Sequence, residues 1–228
     1  MTIFLGFDRS AYPGDNVMQR LRTEGEVDFT GFYLGPAPSH GDTGWMQKRD
    51  FLAGLGFGFA PLYVGQQQSA PGSLILTAAQ GILDGRNATK LATTAGFPEA
   101  SVLYLDIETG PPAHPPFFNY YKAWVQSVID NGFIPGFYCS HHLGGPFAAA
   151  DNRAVPWVYQ LNAIGGNFAL PLPRPDPSHS SFNGAKVLQY AQNATLNLNG
   201  TILKPVDLDT ALSVDPSKSP TNGDPSTS

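Results

Sequence analysis

The segment VLYLDIETG, residues 102–110, predicts a buried β-strand that ends in two carboxylates. Apolar and β-prone residues fill it, and a Gly-Pro-Pro sequence that starts at Gly110 ends it. Because side chains alternate along a strand, Asp106 and Glu108 share one face, with their Cα atoms roughly 6.5–7 Å apart. A charged carboxylate in a low-dielectric interior must be paired or hydrogen-bonded. The two carboxylates therefore form a salt bridge or loop cap, or they belong to a functional site, and the segment alone favours neither.

Strands and helices alternate on both sides of this segment. Apolar runs predict eight strands, at residues 3–8, 28–34, 57–65, 101–108, 133–140, 155–162, 186–192 and 206–212. Helical spacing separates the first five strands, with helices that begin near residue 15 and cover 45–55, 77–95 and 117–131. Strands this uniformly apolar are typical of a parallel sheet covered on both faces. The pattern predicts an α/β fold, a (β/α)₈ TIM-type barrel, with a doubly wound open sheet as the alternative.

The last third of the chain departs from this alternation. Residues 162–184 are proline-rich and lack helical periodicity, so a long loop is expected in place of a sixth helix. The dipeptide Asn199-Gly200 predicts a hairpin between strands seven and eight. We expect a single domain over residues 1–212 and a disordered polar tail over residues 213–228, since the tail has nothing apolar to bury.

Composition excludes several classes of protein. The net charge of −5, without a basic cluster, argues against nucleic acid or an anionic membrane as a partner. No apolar run reaches the ~18 residues that a transmembrane helix needs, and the N-terminus lacks signal-peptide features. The single cysteine, Cys139, excludes an intrachain disulfide, and its apolar strand predicts a buried thiol. We expect a monomer, in either an extracellular or a cytoplasmic location.

The predicted barrel gathers polar residues at one end. Reactive groups in (β/α)₈ barrels lie at the carboxyl ends of the strands. Residues at or near those ends are Asp8, Tyr33, Tyr63, Asp106, Glu108, Tyr138, Gln160, Gln189, Tyr190, Asp207 and Asp209. Carboxylates with amides and aromatic hydroxyls, but little positive charge, suit a neutral polyhydroxylated ligand. A glycosidase typically places two carboxylates beside the scissile bond, and crowding of like charges keeps one of them protonated.

Other chemistries have weaker support. The chain contains no G-x-S-x-G elbow, Walker-type loop or dinucleotide fingerprint, so we expect no cofactor. His141 and His142 follow strand five and could bind a metal, but adjacent side chains diverge, and an exposed loop pair is the favoured interpretation. Trp45 or Trp157 could stack on a sugar ring, although core packing is favoured for both.

Several segments together resemble a known family. They are GFDRS (6–10), FTGFYL (29–34), Gly81 with Asp84-Gly85, GFP (96–98), LYLDIE (103–108) and NGFIPGFYCS (131–140). In this order they resemble the glycoside-hydrolase-like domains catalogued as domain of unknown function 1906, which are related to family 25 lysozymes, the muramidases. The resemblance spans most of residues 1–212. It implies a (β/α) barrel, often exported, that binds or cleaves a cell-wall-type glycan.

The resemblance also implies roles for individual residues. Asp8 corresponds to the carboxylate that ends the first strand, Asp106 and Glu108 to the Asp-x-Glu pair, and Asp207 or Asp209 to a late carboxylate. Glu108 would be the acid, and Asp106 would stabilise an oxocarbenium ion or orient an acetamido group.

Three hypotheses follow. The leading one is a glycoside hydrolase of cell-wall or N-acetylated polysaccharide that uses Glu108, Asp106 and Asp8. The second is a glycan-binding barrel without turnover, and the third is a metal-dependent hydrolase that adds His141.

Overall fold

The structure, a computed structural model, describes residues 2–68 and 75–218. Its strands are β1 (Phe4–Asp8), β2 (Phe29–Tyr33), β3 (Gly58–Tyr63), β4 (Val102–Ile107), β5 (Ile134–Ser140), β6 (Val155–Ile164), β7 (Asn167–Ala169), β8 (Val187–Leu198) and β9 (Thr201–Ala211). Its helices are α1 (Asp15–Thr23), α2 (Arg49–Gly54), α3 (Ala78–Thr94), α4 (Pro115–Asp130) and α5 (His141–Ala150), with a 3₁₀ turn at Pro177–His179. In the described ranges, none of the helices combines the length and apolarity needed to cross a membrane.

Eight of the strands close into a barrel. Strands β1 to β6 pair in parallel and in chain order, and β6 pairs in parallel with β8. Strand β9 closes the ring by antiparallel pairing with both β8 and β1. The short strand β7 pairs in parallel with β8 at residues 195–197, beyond the segment of β8 that pairs with β6. This mostly parallel closed barrel confirms the TIM-type prediction over the open sheet.

The region after β6 is irregular, as the sequence predicts, but its last two strands are longer than predicted. No α-helix lies between β6 and β8, whose connection holds only β7 and the 3₁₀ turn. The hairpin at Asn199-Gly200 is present, and both residues have positive φ, 46° and 94°, as a type I′ turn requires. The strands run directly into this turn, so both extend further than predicted. Because β9 is antiparallel, its middle rather than its end lies beside the carboxyl end of β1.

Aromatic side chains fill the two layers of the core. Inside the barrel, the ring of Trp157 packs edge-on against Tyr104 and Tyr138, with centroids 5.5 and 5.0 Å away. Trp45 packs outside the barrel, and both tryptophans are fully buried, as is Cys139. This confirms core packing for the two indoles and burial of the thiol. Burial of each such aromatic stabilises the fold by roughly 1.5–3 kcal/mol.

Two sequence-based expectations about connections need correction. The Gly- and Ala-rich stretch after β5 is a helix, α5, and His141 and His142 begin it rather than lie in a loop. The predicted tail from Ser213 is folded over its first six residues. In that stretch, Ser217 accepts a hydrogen bond from the Val102 amide (2.7 Å), and the Asp215 carboxylate accepts one from the Phe59 amide (3.0 Å). The rest of the predicted tail, 219–228, lies outside the described residues.

Candidate active site

A cavity of about 450 Å³ opens at the carboxyl ends of the parallel strands. Five predicted site residues line it, namely Asp8, Tyr33, Asp106, Glu108 and Asp207. The remaining wall is formed by Arg9, Ser10, Ser39, His40, Val64, Gln192, Asn193, Pro205 and Val206. The cavity therefore collects acidic side chains from three separate parts of the barrel: β1, the end of β4, and β9.

Asp8 is a buried carboxyl at the end of β1. The Tyr33 hydroxyl donates to Asp8 Oδ1 at 2.6 Å, and Asp8 lies opposite Asp207 in the β1–β9 register. Burial, reinforced by the charge of Asp207, raises the pKa of Asp8 to about 8. Contact between the Asp8 and Asp209 carboxyls lowers the pKa of Asp8 and raises that of Asp209. Oδ2 of Asp8 and Oδ2 of Asp209 are buried without a hydrogen-bond partner among the described residues, so burial favours the neutral form of both groups.

Asp106 and Glu108 occupy different depths on the same wall. Asp106 is buried, and its Oδ1 has no hydrogen-bond partner among the described residues. Burial first, and then the charges of Glu108 and Asp8, raise the pKa of Asp106 well above its ordinary range. Glu108 is exposed at the mouth of the cavity, yet desolvation by the surrounding walls still raises its pKa. Neither Asp106 nor Glu108 forms a salt bridge among the described residues, so the salt-bridge alternative for this pair has no geometric support.

The two late aspartates take separate positions. Asp207 lines the cavity, accepting from the Asn193 amide at 2.6 Å and from Gln189 Nε2 at 3.3 Å. Its pKa is raised to about 6, chiefly by burial. Asp209 lies deeper, fully buried, and accepts from Trp157 Nε1 at 3.2 Å. Of the two alternatives left open by the sequence, Asp207 faces the cavity and Asp209 supports it from below.

Tyr138 and Gln189 form the layer beneath the carboxylates. The Tyr138 hydroxyl donates to Gln189 Oε1 at 2.7 Å, and Gln189 is fully buried. This hydrogen bond joins β5 to β8. The side-chain amide nitrogen of Gln189 in turn donates to the Asp207 carboxylate. These two residues hold the floor rather than line the open cavity, so a role in direct ligand contact is not supported for them.

Three predicted ligand contacts lie elsewhere. The Tyr63 hydroxyl accepts from Asn87 on α3 at 3.1 Å, so its side chain points outward between strand and helix. Tyr190 also points out of the barrel, with its ring 6.2 Å from that of Phe168 on β7. Both predictions were wrong because adjacent strand positions face opposite sides of the sheet. The inner position belongs to Leu62 on β3, in register with Tyr33 and Tyr104, and to Gln189 on β8. Gln160 accepts from the Ser181 amide at 2.9 Å and stays outside the cavity wall.

Sequence reasoning missed the wall residues that come from loops. Arg9 and Ser10 directly follow Asp8 in the GFDRS segment, which was a signal for their position. His40 was not signalled; its ring centre lies 5.2 Å from that of Tyr33, and burial lowers its pKa. Asn193 has a positive φ of 50° at an irregularity in the β8–β9 ladder.

The ligand sets that hold metal ions in proteins are built mostly from His, Cys, Asp and Glu side chains. In the part of the chain that the structure describes, no three His, Cys, Asp or Glu side chains are arranged to hold a metal ion. His141 Nδ1 lies 3.2 Å from the Tyr159 carbonyl oxygen, at the start of α5. The metal-dependent hypothesis that used His141 therefore has no geometric support.

The barrel and its acidic cavity first indicate a class of protein domain. A mostly parallel eight-stranded barrel with several carboxyl groups at its carboxyl-end cavity is the architecture of a glycoside-hydrolase-like domain. The chain belongs to the family described as Rv2525c-like, glycoside hydrolase-like domain, whose sequence model matches residues 19–211. This confirms the resemblance drawn from the sequence segments. No match is found among curated proteins.

Solved structures share the fold over nearly the whole chain. An uncharacterized B. stearothermophilus protein is 24% identical, with a TM-score of 0.65 over 91% of this chain and 95% of that one. The Mycobacterium tuberculosis Tat-secreted protein Rv2525c, in complex with L-tartrate, is 16% identical, with a TM-score of 0.62 over 92% and 95%. A bacterial lysozyme from Streptomyces coelicolor is 12% identical, with a TM-score of 0.63 over 92% of each chain. At these identities the likeness establishes the fold.

Proposed function

We propose that the protein is a glycoside hydrolase that cleaves a cell-wall or N-acetylated polysaccharide of the peptidoglycan type. The observation that carries this proposal is the convergence of Asp8, Asp106, Glu108 and Asp207 on one cavity. Burial raises the pKa of every one of them. Glycosidic bond cleavage needs a carboxyl that stays protonated beside one or more that do not, and crowded carboxyls supply that difference.

Glu108 is the general acid in this proposal. It is the member of the set that is exposed at the mouth, where a leaving-group oxygen can reach it. Its raised pKa keeps a protonated fraction at a higher pH than an ordinary glutamate would. Glu108 donates its proton as the C–O bond breaks, water adds to the anomeric carbon, and the proton released by that water restores the acid.

Asp106 and Asp8 face the developing positive charge. The buried Asp106 Oδ1 has no partner in the described chain, so the N–H of a substrate acetamido group would satisfy it. Asp8, held by Tyr33, lies across the cavity floor next to Asp207. An anionic form of either residue stabilises an oxocarbenium-like transition state.

The comparisons support a saccharide ligand without identifying it. The fold is shared with a bacterial lysozyme, and the mycobacterial relative was solved with L-tartrate, a polyhydroxylated acid. We propose a polysaccharide or oligosaccharide as the partner of this cavity.

Release of reducing ends from peptidoglycan and from chitin-like polymer tests the proposal. We expect wild type to cut at least one polymer between pH 4 and 8, and Glu108→Gln to lose roughly 10²-fold or more, since a general acid contributes about 10²–10⁴. Glu99→Gln is the matched control, because Glu99 is exposed on the loop before β4, at the opposite end of the barrel. The proposal fails if wild type cuts neither polymer, or if Glu108→Gln keeps the full rate.

A glycan-binding barrel without turnover is the second candidate. It is favoured by the burial of Asp8 and Asp106, which raises the pKa of both carboxyls and so opposes the anionic form that would activate water. It predicts saturable oligosaccharide binding by calorimetry with no new reducing ends. If no glycan binds, this candidate is eliminated.

A further inference from the structure

The side-chain amide of Gln67 bridges the backbone of the two central carboxylate residues. Its Nε2 donates to the Asp106 carbonyl oxygen at 3.0 Å, and its Oε1 accepts from the Glu108 amide at 3.1 Å. One amide thus donates and accepts across a two-residue span, as a peptide group of a neighbouring strand would.

This bridge lies where the pairing between β4 and β3 ends. Pairing of β4 with β3 ends at Leu105, whereas pairing with β5 continues to Ile107. The edge of residues 106–108 that faces β3 therefore has no strand partner. Buried backbone groups without partners are costly, so the Gln67 amide replaces the missing ladder.

Gln67 is held rigidly by its own neighbour. It is 6% exposed, and the preceding Gln66 is 2% exposed. The Gln66 side chain donates to Asp84 Oδ2 at 3.0 Å, and its backbone amide donates to the Tyr120 hydroxyl at 3.1 Å. Tyr120 also donates to Asp84 at 2.8 Å. This buried network ties the segment after β3 to helices α3 and α4.

We propose that Gln67 is a positioning residue that fixes the Asp106–Glu108 backbone and so sets where the Glu108 carboxyl stands in the cavity. The inference rests on the proposed hydrolase function. Because Glu108 lies one residue beyond the last ladder pair of β4, the Gln67 bond is the contact that restrains its amide. Loss of that restraint displaces the acid from the scissile oxygen without removing any group that binds the glycan.

Gln68 provides a matched control. It makes the same kind of bridge one step along the chain, from its Nε2 to the Pro112 carbonyl (3.4 Å) and from the His114 amide to its Oε1 (2.6 Å). That bridge holds the loop before α4 rather than the carboxylates. Gln67→Met and Gln68→Met therefore each remove one side-chain amide bridge to the backbone, the first at the carboxylates and the second at an exposed loop.

Kinetics on the polymer that wild type cleaves give the first test. We expect Gln67→Met to lower kcat roughly 10- to 100-fold with KM near the wild-type value, as for a misplaced catalytic group. Gln67→Glu keeps the acceptor for the Glu108 amide and should retain more of kcat than Gln67→Met. Gln68→Met should keep the wild-type kcat. A rise in KM alone, or equal losses in the Gln67 and Gln68 variants, would overturn the proposal.

A second readout does not depend on hydrolysis. In wild type the Glu108 amide should be protected from hydrogen exchange, and exchange at the rate of an open loop would overturn the proposal even if Gln67→Met fails to fold. The ¹³C titration of the Glu108 carboxyl should move toward its ordinary pKa in Gln67→Met and not in Gln68→Met. The other titratable groups near it, Asp8, Asp106, Tyr138, Tyr159 and Asp207, are the same in both variants. A wild type that hydrolyses nothing refutes the function, whereas these two measurements decide the role of Gln67.

Discussion

Replacement of Asp8 by Asn should stabilise the protein relative to wild type, by an amount that grows as the pH rises. Burial and the charge of Asp207 raise the pKa of Asp8 from 3.8 to about 8. Between those values the unfolded chain is ionised at this position while the folded protein keeps the proton, so wild-type stability falls with increasing pH. One proton bound only by the folded state changes the free energy of unfolding by about 1.4 kcal/mol per pH unit.

The difference between the two proteins is measurable by urea denaturation. From pH 5 to pH 7 the stability advantage of Asp8→Asn should widen by up to about 3 kcal/mol. The asparagine oxygen still accepts from Tyr33, so the packing is preserved. Asp50→Asn, whose side chain is 96% exposed on α2, is the control and should show no widening. A constant gap between Asp8→Asn and wild type over this range, or wild-type stability that rises with pH, would refute the reasoning.

Three further predictions concern the frame around the site. Deletion of residues from 213 onward should lower Tm relative to a chain that ends at residue 218. Residues 213–218 accept hydrogen bonds from the amides of Phe59 and Val102 and from the Tyr104 hydroxyl, at the end of the barrel opposite the cavity, so equal Tm values would contradict this role. Gly81→Ala should destabilise by roughly 1–3 kcal/mol in urea despite a better helix propensity, since the new Cβ would meet the Tyr120 carbonyl oxygen. Trp157→Phe should cost about 1–3 kcal/mol because it leaves the buried Asp209 without its indole donor, and an unchanged urea midpoint would refute that contact.

The barrel and the centre of the site could be predicted because they depend on chain-wide regularities. Uniformly apolar strands predict a parallel sheet covered on both faces, and parallel strands bring their carboxyl ends to one edge. That edge places Asp8, Asp106 and Glu108 together whatever the loops do. The late carboxylate needed the structure, because the direction of β9 decides which of Asp207 and Asp209 reaches the cavity.

The wrong predictions concern features that depend on which face of a strand a residue occupies, or on a single polar contact. Tyr63 and Tyr190 lie one position from an inward-facing residue, and a run of apolar residues carries no alternation to tell the two faces apart. Residues 213–218 look like a tail because most of them are polar, yet hydrogen bonds to the barrel and the burial of Pro216 and Ser217 hold them in place. The role of Gln67 is invisible in a run of three glutamines, since it depends on where β3 and β4 separate.

Hydrolysis in ¹⁸O-labelled water tests the central claim most directly. Wild type incubated with an N-acetylated cell-wall oligosaccharide should release fragments whose new reducing ends each carry one ¹⁸O atom. The same products should form at the wild-type rate with Glu99→Gln and roughly 10²-fold or more slowly with Glu108→Gln. Fragments without the label, or labelled fragments that form at the wild-type rate with Glu108→Gln, would contradict a hydrolase that uses Glu108 as its acid.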